Sequence, residues 1–180
     1  MKKILFTLSA IVLFLTANAQ DKKVENWPNG NKKSEGVIIG TPVDASASKE
    51  VQQRQAVNAI RDGKWSYWFE SGTLRSEEFY SKGSMIGNWK VWYDNGQVES
   101  DINFTIGTAM YFYKSGKKHS EGGIADGMVN VGKWTGYYEN GSKNYEGTYT
   151  KEGKKDGVWT WYDEKGNATT QTYSNGELVK

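Results

Sequence analysis

Cysteine is absent from the 180 residues. That excludes disulfide stapling, thiol catalysis and Cys-ligated metal together. It also excludes the lipid-bearing Cys that a bacterial lipoprotein carries behind its signal. Histidine occurs once, as His119, so no histidine cluster exists to hold a metal. Proline occurs twice. An excess of either charge is also lacking. The chain has 23 basic and 21 acidic residues, and without Lys2 and Lys3 the balance is 21 against 21. Nucleic acid and anionic lipid are usually met by a basic excess, so neither is expected as a main partner. No apolar run reaches the roughly 20 residues that span a bilayer, so no integral membrane segment is expected after the leader is removed.

The chain opens on Lys2 and Lys3, continues with an apolar run from Ile4 to Leu15, and reaches Ala17-Asn18-Ala19. These are the three parts of a secretory signal peptide. The expectation is a signal over 1–19, cleaved after Ala19, and export to the periplasm or the cell exterior. An uncleaved N-terminal helix is the alternative.

What the sequence has in quantity is Trp (8), Tyr (11), Phe (6) and Gly (21), the composition of short strands and tight turns. These residues recur. Let Gly63, Gly87, Gly107, Gly132 and Gly157 each be position 0 of a unit; the steps between them are 24, 20, 25 and 25 residues. Position 2 is Trp65, Trp89, Ala109, Trp134 and Trp159. Position 5 is Trp68, Trp92, Phe112, Tyr137 and Tyr162. Position 9 is glycine in every unit: Gly72, Gly96, Gly116, Gly141 and Gly166. Position 14 is Glu77, Asp101, Glu121, Glu146 and Gln171.

Each unit reads as a β-hairpin. An aromatic strand comes first, then a turn such as Asp94-Asn95-Gly96 that supplies positive φ, then a second, polar strand. Trp27 to Gly36 fits the turn and second half of a unit, with Glu35 on the acidic position. The expected organisation is therefore a half-repeat over 20–40, an insertion over 41–61, five tandem units over 62–176 and a tail over 177–180. Ser48 to Ile60 in the insertion reads either as one amphipathic helix, with Val51, Val57 and Ile60 inward, or as a loop.

These landmarks resemble the MORN repeat, and more closely its bacterial variant form. Gly87-Asn88-Trp89-Lys90-Val91-Trp92-Tyr93-Asp94-Asn95-Gly96 carries every one of them. The resemblance implies an all-β fold of tandem hairpins stacked into an elongated, twisted antiparallel sheet. It implies scaffolding, protein contact or, for some relatives, membrane association, and some bacterial relatives carry an antitoxin-type label. The departures are Ala109, an additional residue between the last aromatic and Gly166, and the insertion.

Two rows of rings are the candidate binding residues: Trp65, Trp89, Trp134 and Trp159 at position 2, and Trp68, Trp92, Tyr137 and Tyr162 at position 5. Large rings supply the apolar area of a thin sheet, or they line a groove for a glycan or extended peptide. The acidic row is expected to pair locally, with Lys33, Arg75, Lys118 and Lys143 as candidates. One acid per unit is too sparse for a cation loop. Ser120 follows His119 directly and is expected on the opposite strand face, and no nucleophile or phosphate-loop motif is present. The expected function is a non-catalytic, exported module that contacts a protein, with polysaccharide binding or an antitoxin-like or immunity-type role as alternatives. No cofactor is expected.

Overall fold

The computed structural model describes residues 20–40, 46, 48, 49 and 60–179. The leader and most of the 41–61 insertion, Val51 and Val57 included, lie outside the described residues. The strands are β1 (Gln20–Asn26), β2 (Lys32–Ile39), β3 (Ile60–Trp68), β4 (Leu74–Ser81), β5 (Ser84–Met85), β6 (Asn88–Trp92), β7 (Val98–Asn103), β8 (Thr108–Phe112), β9 (Lys118–Ala125), β10 (Val129–Tyr137), β11 (Lys143–Tyr149), β12 (Lys155–Tyr162), β13 (Ala168–Ser174) and β14 (Glu177–Leu178). They form one open antiparallel sheet in chain order, with β5 attached to β4 alone. At about 4.8 Å per strand this is a ribbon roughly 60 Å along the sheet. The all-β hairpin array expected from the repeats is what the chain forms.

The ends differ in detail from the sequence pattern. β1 pairs with β2 from Gln20↔Ile39 to Asn26↔Lys32, so the first hairpin has both strands. β1 has no aromatic landmark by which to read it. Ile60 and Arg61 belong to strand β3 and pair with Ile39 and Ile38. Ile60 is exposed, at 39%, so it does not face inward from a helix.

Both glycine positions are required by the backbone. At position 9, φ lies between +82° and +91°, and each of these glycines closes its turn by donating to the position-6 carbonyl, as Gly96 does to Tyr93 (3.0 Å). The last turn is no longer than the others. Asp163 N–H donates to Asn167 and Gly166 N–H to Asp163 (both 2.9 Å), in the pattern of Tyr93, Gln97 and Gly96. Asp163 simply stands where other units have a second aromatic.

At position 0, φ is +64° to +68°, and in the first, fourth and fifth units the glycine starts a β-bulge. Ser66 pairs with Glu35 and Asp62 with Val37, so Gly63, Lys64 and Trp65 together face Gly36. The same irregularity recurs at Val131/Trp134 against Gly123/Gly122, and opposite Gly147 in β12. Such a bulge frees a carbonyl from the ladder, and the indole satisfies it. Trp65 Nε1 donates to Val37 O (3.0 Å), Trp89 to Phe79 O (2.9 Å), Trp134 to Gly123 O (2.9 Å) and Trp159 to Thr148 O (3.1 Å).

The third unit obeys the same logic by omission. β7 and β8 pair without a bulge from Ser100↔Tyr111 to Asn103↔Thr108. With no carbonyl released there, no indole is needed. Ala109 sits directly opposite Ile102, and the two are 2% and 4% exposed. Three of the four indoles lie on a glycine of the preceding strand: Trp65 on Gly36, Trp134 on Gly122 and Trp159 on Gly147. Large-on-small is thus reversed once, with Ile102 covering Ala109.

Candidate functional site

The two aromatic rows lie on opposite faces, as alternation requires. The position-2 indoles are the core. Trp65, Trp89, Trp134 and Trp159 are 4%, 9%, 3% and 2% exposed. They are braced by Tyr80 and Phe104 against Trp89 (5.0 and 4.9 Å between centroids) and by Tyr149 against Trp159 (4.9 Å). On the other face Trp68, Trp92, Phe112, Tyr137 and Tyr162 are half-buried. Among the described residues no Trp, Tyr or Phe is fully exposed.

The second row is woven into the acidic row. Tyr137 Oη donates to Glu121 (2.8 Å) and Tyr162 Oη to Glu146 (2.6 Å). Lys118 reaches Glu121 at 2.8 Å and Lys143 reaches Glu146 at 3.1 Å, each also lying over the same tyrosine ring. Glu77 pairs with Lys64, Asp101 with Lys90 (3.4 Å), and Glu35 with Lys22 and Lys32.

Lys33 and Arg75 are therefore not the partners of Glu35 and Glu77. The ladder shifts register just after each Asn-Gly or Ser-Gly turn, for example at Tyr67/Trp68 against Ser76/Leu74. This extra residue turns position 12 to the indole face. There Lys33 lies over the Trp27 ring (5.1 Å) and Arg75 over Phe69 (5.8 Å). The same shift corrects the expectation for His119 and Ser120. They are on one side of the sheet, with Nδ1 and Oγ 3.1 Å apart.

The lysines and tyrosines hold Glu35, Glu121 and Glu146 in the charged form. Hydrogen bonds from Lys22 and Lys32 bring Glu35 down to about 2 from 4.5. Lys118 and then Tyr137 lower Glu121; Tyr162 and then Lys143 lower Glu146. A carboxyl depressed in the folded state stabilises fully above its unfolded value and loses that contribution as pH falls through the folded one. Thermal melts should therefore fall as pH is lowered from about 4.5 towards 2, and the loss should shrink in molar salt, since these pairs lie at the surface.

Two further rows escaped the sequence reading. At position 6, Tyr93, Tyr113 and Tyr138 each donate to the position-5 carbonyl of the next unit: Phe112 (2.8 Å), Tyr137 (2.7 Å) and Tyr162 (2.7 Å). Trp27 does the same to Trp68 O (3.1 Å). In the fifth unit position 6 is Asp163 in place of an aromatic. At position 13, Ser34, Ser76, Ser100 and Ser120 are buried. Being small, they leave space for the flanking rings Tyr67 and Tyr111. The interval itself carries the signal, since these tyrosines and serines recur at positions 6 and 13 of successive units.

Among the described residues, two recesses open on the indole face. One, about 340 Å³, is lined by Arg61, Tyr67, Arg75, Ser76, Glu78 and Val91. The other, about 360 Å³, is bordered by Tyr93, Tyr111, Tyr113, Trp134 and Tyr145, with Glu99, His119, Ser120 and Asn130 among its polar groups. Among the described residues no three His, Asp or Glu side chains converge to hold a metal ion, and no helix is long and apolar enough to cross a membrane.

An open sheet of tandem hairpins, registered by Gly-x-Trp bulges and stapled unit to unit by tyrosines, defines a β-hairpin repeat protein. Three of its repeats, residues 61–82, 85–105 and 130–151, match the model of the MORN repeat variant. The units beginning at Gly107 and Gly157, with Ala109 and Asp163, lie outside those matches. No curated protein matches the sequence. Among solved structures, a crystal structure of the GtfA/B complex bound to UDP and GlcNAc is similar at 12% identity and a TM-score of 0.28. The similarity covers 61% of this chain and 22% of that one. At that score it carries no argument.

Proposed function

We propose that the chain is an exported, non-catalytic module that presents its sheet to a protein partner. The observation that carries this reading is the open single sheet. Its rings are committed to holding hairpins together, and what remains is a long surface assembled from equivalent positions of successive units. Stacked repeats usually work through such a surface, and repeats of this family generally mediate protein or membrane contacts. The His119–Ser120 contact does not revive catalysis. Ser120 is 4% exposed, so its hydroxyl is closed to an incoming substrate.

A polysaccharide reading needs rings whose faces are open to a sugar, and no described ring is fully exposed. The test is a pull-down from the producing organism's envelope and medium, using the chain from Gln20 as bait, with proteins and sugars analysed in separate arms. One reproducibly enriched protein supports the interaction module. Enriched polysaccharide without protein overturns it.

A further inference from the structure

The indole face carries aromatic clusters around Trp65, Trp89, Trp134 and Trp159, and the residues two before their units' first glycines are Arg61, Met85, Asn130 and Lys155. In the first, Arg61 stands two residues before the unit's first glycine. Its guanidinium lies over Trp65, Tyr67 and Tyr80 (5.0, 5.7 and 5.3 Å), with Glu78 at 3.5 Å. In the last, Lys155 holds the same position, and its ammonium lies over Trp159, Trp161 and Tyr173 (4.6, 4.9 and 5.1 Å). A cation over ring faces is attracted by the ring quadrupole. In these two units the chain supplies that cation itself.

The cluster around Trp134 is built otherwise. Two residues before Gly132 stands Asn130, which is neutral and lines the 360 Å³ recess. Among the described residues, no Lys or Arg lies over Tyr93, Tyr111, Tyr113, Trp134 or Tyr145. A second position has changed in the same direction. Position 12 is a cation over the position-6 ring in Lys33/Trp27 and Arg75/Phe69; next to Tyr93 it is Glu99. That carboxyl is half-buried, has no ion pair among the described residues, and lines the same recess. The walls are held in place beforehand. Tyr93 and Tyr113 hydroxyls are fixed to Phe112 O and Tyr137 O, and Trp134 is fixed to Gly123 O. A site whose rings are already ordered spends little entropy on binding.

The geometry points to this recess as the place where a lysine or arginine side chain of a partner protein is received, its cation over the rings and against Glu99. This rests on the interaction reading above and names the chemistry of the contact. Two charge changes at equivalent positions, Asn130 and Glu99, remove the chain's own cation and supply the matching anion.

The test titrates Nα-acetyl-arginine methylamide, Nα-acetyl-lysine methylamide and the uncharged Nα-acetyl-norleucine methylamide into the chain from Gln20. The Trp134 indole N–H and the Asn130 side-chain amide are followed by NMR. The cationic amides should bind weakly, at roughly ten millimolar, as expected of a cation meeting several rings and one carboxylate, and the norleucine amide at least about tenfold more weakly. Glu99→Gln should weaken the cationic amides about threefold or more. Asn130→Arg, which copies Arg61 into this unit, should abolish their binding while the chain still melts cooperatively. Equal binding of the norleucine amide, or binding unchanged in both variants, overturns the assignment. The pull-down repeated with Asn130→Arg separates the two claims. A partner captured equally by wild type and variant overturns the recess and leaves the interaction module standing. Cationic amides bound by a wild-type chain that captures no protein overturn the interaction module and leave the recess as an organic-cation site.

Discussion

Trp134→Ala is expected to cost about 3–5 kcal/mol of stability, the range for deleting a large buried ring. The ring is 3% exposed, is stacked on Tyr111 at 6.1 Å, and its N–H is hydrogen-bonded to the bulge carbonyl of Gly123. Removing it leaves a void and an acceptor without its donor. Trp92→Ala, at a half-buried position on the opposite face, should cost roughly 1–2 kcal/mol. A second substitution makes the argument sharper. Gly122→Ile alone should also be severe, because a Cβ there would lie 2.4 Å from the Trp134 ring. Together, Gly122→Ile and Trp134→Ala recreate the Ile102-over-Ala109 arrangement. The double variant should therefore be more stable than the sum of the two losses predicts, by about 0.5–3 kcal/mol, the usual scale for residues in contact. Urea unfolding of the four chains measures this. Strict additivity would show that ring and glycine are not a packing unit.

How much of this was readable beforehand depends on what each residue answers to. The glycines at positions 0 and 9 recur because a left-handed backbone is needed there, and the rings recur because each hairpin must bury area against the next. Both demands are local and repeat with every unit, so the hairpins, the turns and the two rows were legible. The side of the sheet on which a residue falls was legible only where the ladder is regular. Lys33, Arg75 and His119 follow the turn by a fixed count, and the register shift there turns them to the face opposite the one simple alternation assigns. β1 has no landmark residue and is a strand only because β2 offers it a partner. The recess around Trp134 draws on Tyr93, Tyr111, Asn130 and Tyr145, which come from different units. No single interval in the sequence joins them.

Gly147→Ala should be damaging, at about 3 kcal/mol, the upper end of the cost of overpacking a filled core. A Cβ at Gly147 would stand 2.1 Å from Trp159 Cδ2. The ring cannot step aside cheaply. It is 2% exposed, is tied to Thr148 O, and is flanked by Tyr145 and Tyr149 at 6.0 and 4.9 Å. The comparison that gives this meaning is Gly141→Ala. Gly141 has φ +91° and nothing within 4 Å of an added Cβ, so its cost is the left-handed conformation alone, about 1–2 kcal/mol. Thermal melts rank the two, and the Trp159 indole N–H resonance should shift in Gly147→Ala and stay in place in Gly141→Ala. If Gly141→Ala proves the more damaging, the indoles are not seated by the glycines beneath them. The reversed exchange at Ile102 and Ala109 would then need another cause. If the ranking holds, glycine serves this repeat in two unrelated ways: at positions 0 and 9 for its backbone, and beneath the indoles for the side chain it lacks.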